Sequence, residues 1–112
     1  MRGYLLATTA AVALLAATSA RAQDATWSTA PGSSDFNTPT NWTPATVPTG
    51  TAFFGASTIT GLTFNSGAAN SLGGFTFNAG PPAYSFALAT ASTLTFTGAG
   101  ILNNSQTRRA FP

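Results

Sequence analysis

The sequence predicts an all-β protein, and within that class a short right-handed parallel β-helix or solenoid fragment carried behind a helical N-terminal signal peptide. Three observations point there. An apolar–Thr–Phe phrase recurs along the second half of the chain. Among 112 residues only Arg2, Arg21, Asp24, Asp35, Arg108 and Arg109 are charged, with no Lys, Glu, His or Cys. Apolar residues make up 44% of the chain. Disordered chains combine low hydrophobicity with high charge, and this chain has neither property. Small polar residues with Phe at intervals suit short, turn-rich strands.

The first element is an address. Met1-Arg2-Gly3 supplies a positive start, Tyr4 to Ala17 an apolar run, and Ala20-Arg21-Ala22 the small residues a signal peptidase reads. Charge, apolar stretch and an A-x-A site in that order describe a secretory leader, residues 1–22, cut after Ala22. A membrane-spanning anchor is the alternative, but the run is shorter than the roughly 20 apolar residues a span requires. The leader makes the secretion machinery the first expected partner. An exported chain without Cys forms no disulfide, so stability rests on backbone hydrogen bonds and stacked side chains.

Residues 23–50 are expected to be an entry or capping segment. Pro31, Pro39, Pro44 and Pro48 each remove a backbone donor. Trp27, Phe36 and Trp42 stand among small polar residues, and a surface loop seldom holds three large aromatics. Covering the open apolar end of a β stack is one use for them. A sugar-stacking platform built from Trp27, Trp42 and Tyr84, with Phe36, is the other.

Residues 51–105 carry degenerate β-strand repeats. Leu62-Thr63-Phe64-Asn65-Ser66-Gly67 is followed by Phe75-Thr76-Phe77-Asn78-Ala79-Gly80 and then by Leu94-Thr95-Phe96-Thr97-Gly98. Each phrase sets two apolar residues on one face of a strand. The starts are 13 residues apart (62 to 75) and then 19 (75 to 94). Such spacing suits coils whose turns vary in length, with Phe stacked over Phe inside and Asn65 over Asn78 at a turn. The rival architecture is an antiparallel sandwich or jelly roll, which also alternates strands with Gly-rich turns. Repetition of one strand phrase favours the solenoid. Its uncharged last coil near Ile101-Leu102 would leave an unpaired strand edge, which invites self-association.

Several function classes are excluded by what the chain lacks. From Gln23 onward two Asp balance two Arg, and residues 25–107 hold no cation, so no cluster is available for nucleic-acid phosphates. Asp24 and Asp35 are the only acids; Asp24 is expected near a poorly ordered terminus and Asp35 in a turn. That is a weak basis for the carboxylate pair of a glycosidase. No His or Lys is present to activate a Ser, and zinc and calcium sites lack their ligands. No catalytic residue, cofactor or metal is expected. Asn41-Trp42-Thr43 and Asn103-Asn104-Ser105 match the glycosylation pattern, though the second reads more simply as a turn.

Over residues 24–106 the chain resembles the N-terminal passenger region of autotransporter-type surface proteins of Gram-negative bacteria, those with autotransporter-associated β-strand repeats. The stretches that carry the resemblance are Asn41-Trp42-Thr43-Pro44, Thr51-Ala52-Phe53-Phe54-Gly55, Leu62-Thr63-Phe64-Asn65, Pro82-Ala83-Tyr84-Ser85-Phe86 and the run from Leu94 to Ser105. It implies an adhesive or structural β-helical passenger at the outer membrane or cell surface, with a surface glycan or host molecule as partner and no catalytic residues. Two departures stand out. Nothing offers the amphipathic strands of a membrane barrel. Residues 106–112 also break texture with Arg108-Arg109, an irregular tail that reads either as the product of a truncated gene, a frameshift or an open fragment, or as a natural end. In the first case the product would stay in the periplasm. The DNA following Pro112 is then expected to encode further such repeats and barrel strands.

Overall fold

The computed structural model describes residues 21–80 and 82–105. The expected leader helix and the irregular tail lie almost wholly outside the described residues, apart from Arg21 and Ala22, which are exposed.

The architecture is a β-solenoid of about three turns. Its strands are β1 (Ala25–Trp27), β2 (Trp42–Thr43), β3 (Thr51–Phe54), β4 (Gly61–Phe64), β5 (Ala69–Phe77), β6 (Ser85–Leu88) and β7 (Thr93–Asn103). One sheet runs β2-β1-β3-β5-β7 and the other pairs β4 with β6. Every pairing is parallel except β2 on β1. An antiparallel sandwich would pair consecutive strands in opposite directions, so the parallel ladders decide for the solenoid.

Register gives the length of each coil. Ala25 lies beside Ala52, Ala52 beside Phe75 and Phe75 beside Ile101, so successive coils advance by 27, 23 and 26 residues. β5 and β7 each serve two stacks. Ala69–Leu72 pairs with Thr93–Phe96, and Gly74–Phe77 lies between Thr51–Phe54 and Gly100–Asn103. The strand turns a corner between its halves. There β5 moves from Leu72 to Gly74 while β7 moves from Phe96 to Gly100, two residues more, which absorbs the unequal coil lengths.

The repeated phrase therefore marks strands without marking equivalent positions. Leu62 lies in β4, Phe75 in the second half of β5 and Leu94 in the first half of β7. The three phrases fall on three different faces of the coil, and the 13- and 19-residue spacings are distances between faces. Phe does stack on Phe: Phe54 and Phe77 lie 5.2 Å apart with rings 22° from parallel, and Phe36 and Phe64 lie 4.4 Å apart. Asn65 does not sit over Asn78. The Asn65 N–H donates to Asn37 Oδ1 (3.1 Å), and Asn37 Nδ2 donates to Asn70 Oδ1 (2.6 Å). Asn70 Nδ2 reaches the Thr93 carbonyl at 3.0 Å. This amide relay ties one coil to the next, while Asn78 N–H donates to the Phe54 carbonyl at another corner.

Two stacked turns show the local chemistry. Asn65–Ala68 closes with Ala68 N–H on the Asn65 carbonyl, and Ala89–Ser92 with Ser92 N–H on the Ala89 carbonyl. The third residue of the first turn is Gly67 at φ +72°, and of the second Ala91 at φ +61°. A Cβ in the left-handed region costs about 1–2 kcal/mol, whereas Gly there is unstrained but loses more entropy on folding. Ala91→Gly is expected to stabilise the protein by about 0.5–1 kcal/mol, read as a raised urea midpoint with unchanged slope.

Candidate functional site

The two ends of the stack differ, and the difference locates the candidate site. At the first coil the edge of β1 is occupied by β2, with Trp27 beside Trp42 and Thr26 beside Thr43. Trp27, Phe36 and Trp42 are 1%, 1% and 2% exposed. Trp42 meets Trp27 edge-to-face at 5.1 Å and Phe36 at 5.0 Å, the geometry ring quadrupoles favour. Each indole N–H is satisfied, Trp27 by the Ile59 carbonyl (2.8 Å) and Trp42 by the Phe36 carbonyl (2.9 Å). Asn41, also buried, accepts from Gly32 N–H and donates to Ser33 Oγ and the Asp35 carbonyl. That end is closed.

Among the described residues nothing covers the other end. β7 is the last strand of its sheet, and no described strand covers β6 on the side away from β4. Leu88, Ile101 and Leu102, the exposed large hydrophobic residues, all belong to these two edges, at 46%, 61% and 54%. Leu88 continues the buried column of Phe64, and Ile101 that of Phe75. Both therefore display positions that are core one coil earlier. Phe86, Leu94 and Phe96 pack half-buried beside them. The result is an apolar plate ringed by unpaired backbone N–H and C=O groups, and the segment Ser85–Ser105 carries no charge. The expected open edge at Ile101-Leu102 is found here.

The sugar-stacking platform is not assembled. Trp27 and Trp42 are interior to the first coil and present no face to a ligand, as is Phe36. Tyr84 alone remains partly accessible, lining a shallow hollow of about 280 Å³ with Phe77, Pro82 and Asn103. Its hydroxyl donates to the Gly55 carbonyl. Burial raises the Tyr84 pKa above the usual phenol value, and a hydrogen bond with Ser57 pulls the other way. The raised value means the folded state favours the neutral phenol. That contribution is present below about pH 10 and is lost as pH rises through the folded pKa. Stability is expected to fall in alkali, and Tyr84→Phe to lessen that fall in urea titrations between neutral and alkaline pH.

Both acids have backbone work. Asp24 Oδ1 accepts the Thr51 N–H at 2.8 Å, and the Gln23 carbonyl accepts the N–H groups of Thr49 and Gly50. Residues 23 and 24 are thus bound to the next coil, against the expectation of a loose terminus. Asp35 accepts Asn37 N–H and the Thr38 hydroxyl, the turn role foreseen for it, and bridges to Thr63. The Asn41 amide is engaged and buried, which leaves it inaccessible to a glycosyl donor. Asn103 Oδ1 accepts from the N–H and hydroxyl of Ser105, a turn as read. Among the described residues no group of His, Cys, Asp or Glu could hold a metal ion, and no helix is long and apolar enough to cross a membrane.

The glycine corner escaped sequence reasoning. Gly50, Gly73, Gly74, Gly98 and Gly100 line a groove of about 330 Å³ along the outside of the solenoid. Gly73 N–H donates to the Gly50 carbonyl at 2.6 Å, and a Cβ on Gly73 would stand 2.9 Å from that oxygen. The signal available was the pair Gly73-Gly74 inside a run otherwise suited to a strand.

The chain thus has the form of a solenoid closed at one end. Comparison with protein-family models, curated proteins and solved structures gives no match.

Proposed function

We propose that this chain is the capped first segment of an exported β-solenoid that serves as a structural or adhesive element at a bacterial cell surface, without catalysis of its own. The asymmetry of the two ends carries the reading. Terminal repeats of a solenoid need a cover, while internal coils do not. Here Trp27, Phe36, Trp42 and β2 supply the cover at the first coil, and no described strand covers the last. The leader-like residues 1–22 and the cysteine-free, nearly uncharged sequence support export. The resemblance to autotransporter passengers agrees with both.

Expression of the full chain with a C-terminal tag in a Gram-negative host tests this. The tagged protein is expected outside the cytosol, with Gln23 as its first residue. Uncut chain confined to the cytosol would reject it.

A further inference from the structure

We infer that the uncovered end, where no further coil of the same chain occupies it, is a docking surface for a second copy of this chain, and that association stops at two. An edge strand offers a row of backbone donors and acceptors that only another strand can satisfy as a set. Proteins commonly guard such edges with charged side chains, especially Lys, or with Pro. Neither β6 nor β7 contains either. In a two-fold interface residue i meets residue j and j meets i, so an edge bearing charge of a single sign would repel its own copy. The segment Ser85–Ser105 has none and is compatible with itself.

The bend in β7 fits the same symmetry. β7 runs Thr93–Asn103, with its corner at Gly98 to Gly100. A two-fold axis passing by Gly98 sets this strand antiparallel to its mate, Thr93 opposite Asn103. The same axis brings β6 toward the β6 of the partner. Leu88, Leu94, Phe96 and Ile101 of both copies then share one core. Growth into fibres requires a second sticky end on each chain. β2 and the three buried aromatics close the only other end of the stack, so the assembly closes as a dimer.

Pairing depends on the open end alone and not on the compartment, so a dimer in vitro and an uncut leader in cells are separate outcomes. Light scattering of the purified chain is expected to give twice the chain mass. Ile101→Lys, at a position already solvent-reachable in one copy, should give the single mass with an unchanged far-UV spectrum. Should that variant fail to fold, single cysteines in the cysteine-free background decide. Thr97→Cys, exposed beside the axis, should yield covalent dimers with a short bis-maleimide, and Thr43→Cys, exposed at the closed end, should not. A wild-type monomer at every accessible concentration would overturn the inference. So would an open-ended ladder of oligomers, absence of cross-links at Thr97→Cys, or cross-links at Thr43→Cys.

Discussion

Trp42→Ala is expected to cost about 3–5 kcal/mol, the range for truncating a large buried aromatic. Three losses add up at this position. The indole is removed from contact with Trp27, Phe36 and Phe54, whose rings lie 5.1, 5.0 and 5.8 Å away. The Phe36 carbonyl loses its Nε1–H donor, and an unpaired buried acceptor costs about 1–3 kcal/mol. The void left at the closed end also has little means of collapse, because β2 holds only Trp42 and Thr43. Small domains are stable by only about 5–15 kcal/mol, so a substantial unfolded population is expected without denaturant. Urea unfolding followed by far-UV dichroism measures it. Trp42→Phe keeps part of the ring contact while losing the N–H, and should fall between wild type and Ala.

Gly74→Ala is the second large effect, and it comes from adding one methyl group. A Cβ at Gly74 would run into the Gly100 carbonyl and crowd the Gly100 nitrogen at 3.1 Å. Both are backbone atoms, so relief requires β5 and β7 to move apart where Gly74 lies beside Gly100. That separation removes parallel hydrogen bonds on both sides of the corner and uncovers Phe75 and Phe96, whose rings are 5.0 Å apart. The expected loss is at least about 3 kcal/mol, at the upper end of overpacking costs, read as an early unfolding transition. Gly67→Ala supplies the comparison. Nothing lies within 4 Å of its Cβ position, and only φ +72° opposes the side chain. Its cost should be about 1–2 kcal/mol, set by the left-handed backbone alone. If the two variants lose the same stability, close approach of backbones at the corner is not what Gly74 provides.

The contrast between these glycines shows how far the sequence could be read. Gly67 ends an apolar–Thr–Phe phrase after Asn and Ser, a local turn signal that names its own purpose. Gly74 acts on Gly100, and nothing local to either reveals that they meet. Strand identity was likewise legible in Leu62-Thr63-Phe64 and Phe75-Thr76-Phe77, because alternation is a property of a few neighbours. The face on which each strand lies depends on the summed length of the intervening turns, and equal phrases suggested equal positions that the coil does not have. The aromatic cover at the first coil was foreseen from Trp27, Phe36 and Trp42 as large residues stranded among small ones. The alternative use of those indoles as a ligand platform differed only in which way the rings point, and burial of Trp27 and Trp42 settles that. Tyr84, the third member, was separable from them only once its place in the later coil was known. Asp24 looks like a loose terminal residue from its neighbours alone, because its partner, the Thr51 N–H, is 27 residues away.

The 23- to 27-residue advance between neighbouring coils sets how this polypeptide can acquire its shape. Each rung needs only the rung before it, so the loop closed at every step is short and the entropic toll per step nearly constant. Residues 23–50 hold the aromatic cover of the first coil, Trp27, Phe36 and Trp42, and leave the ribosome before every later coil. They provide a seed on which later rungs condense in the order of synthesis. A chain assembled this way requires no distant segment to return, and a stall at any point leaves a shorter object of the same kind.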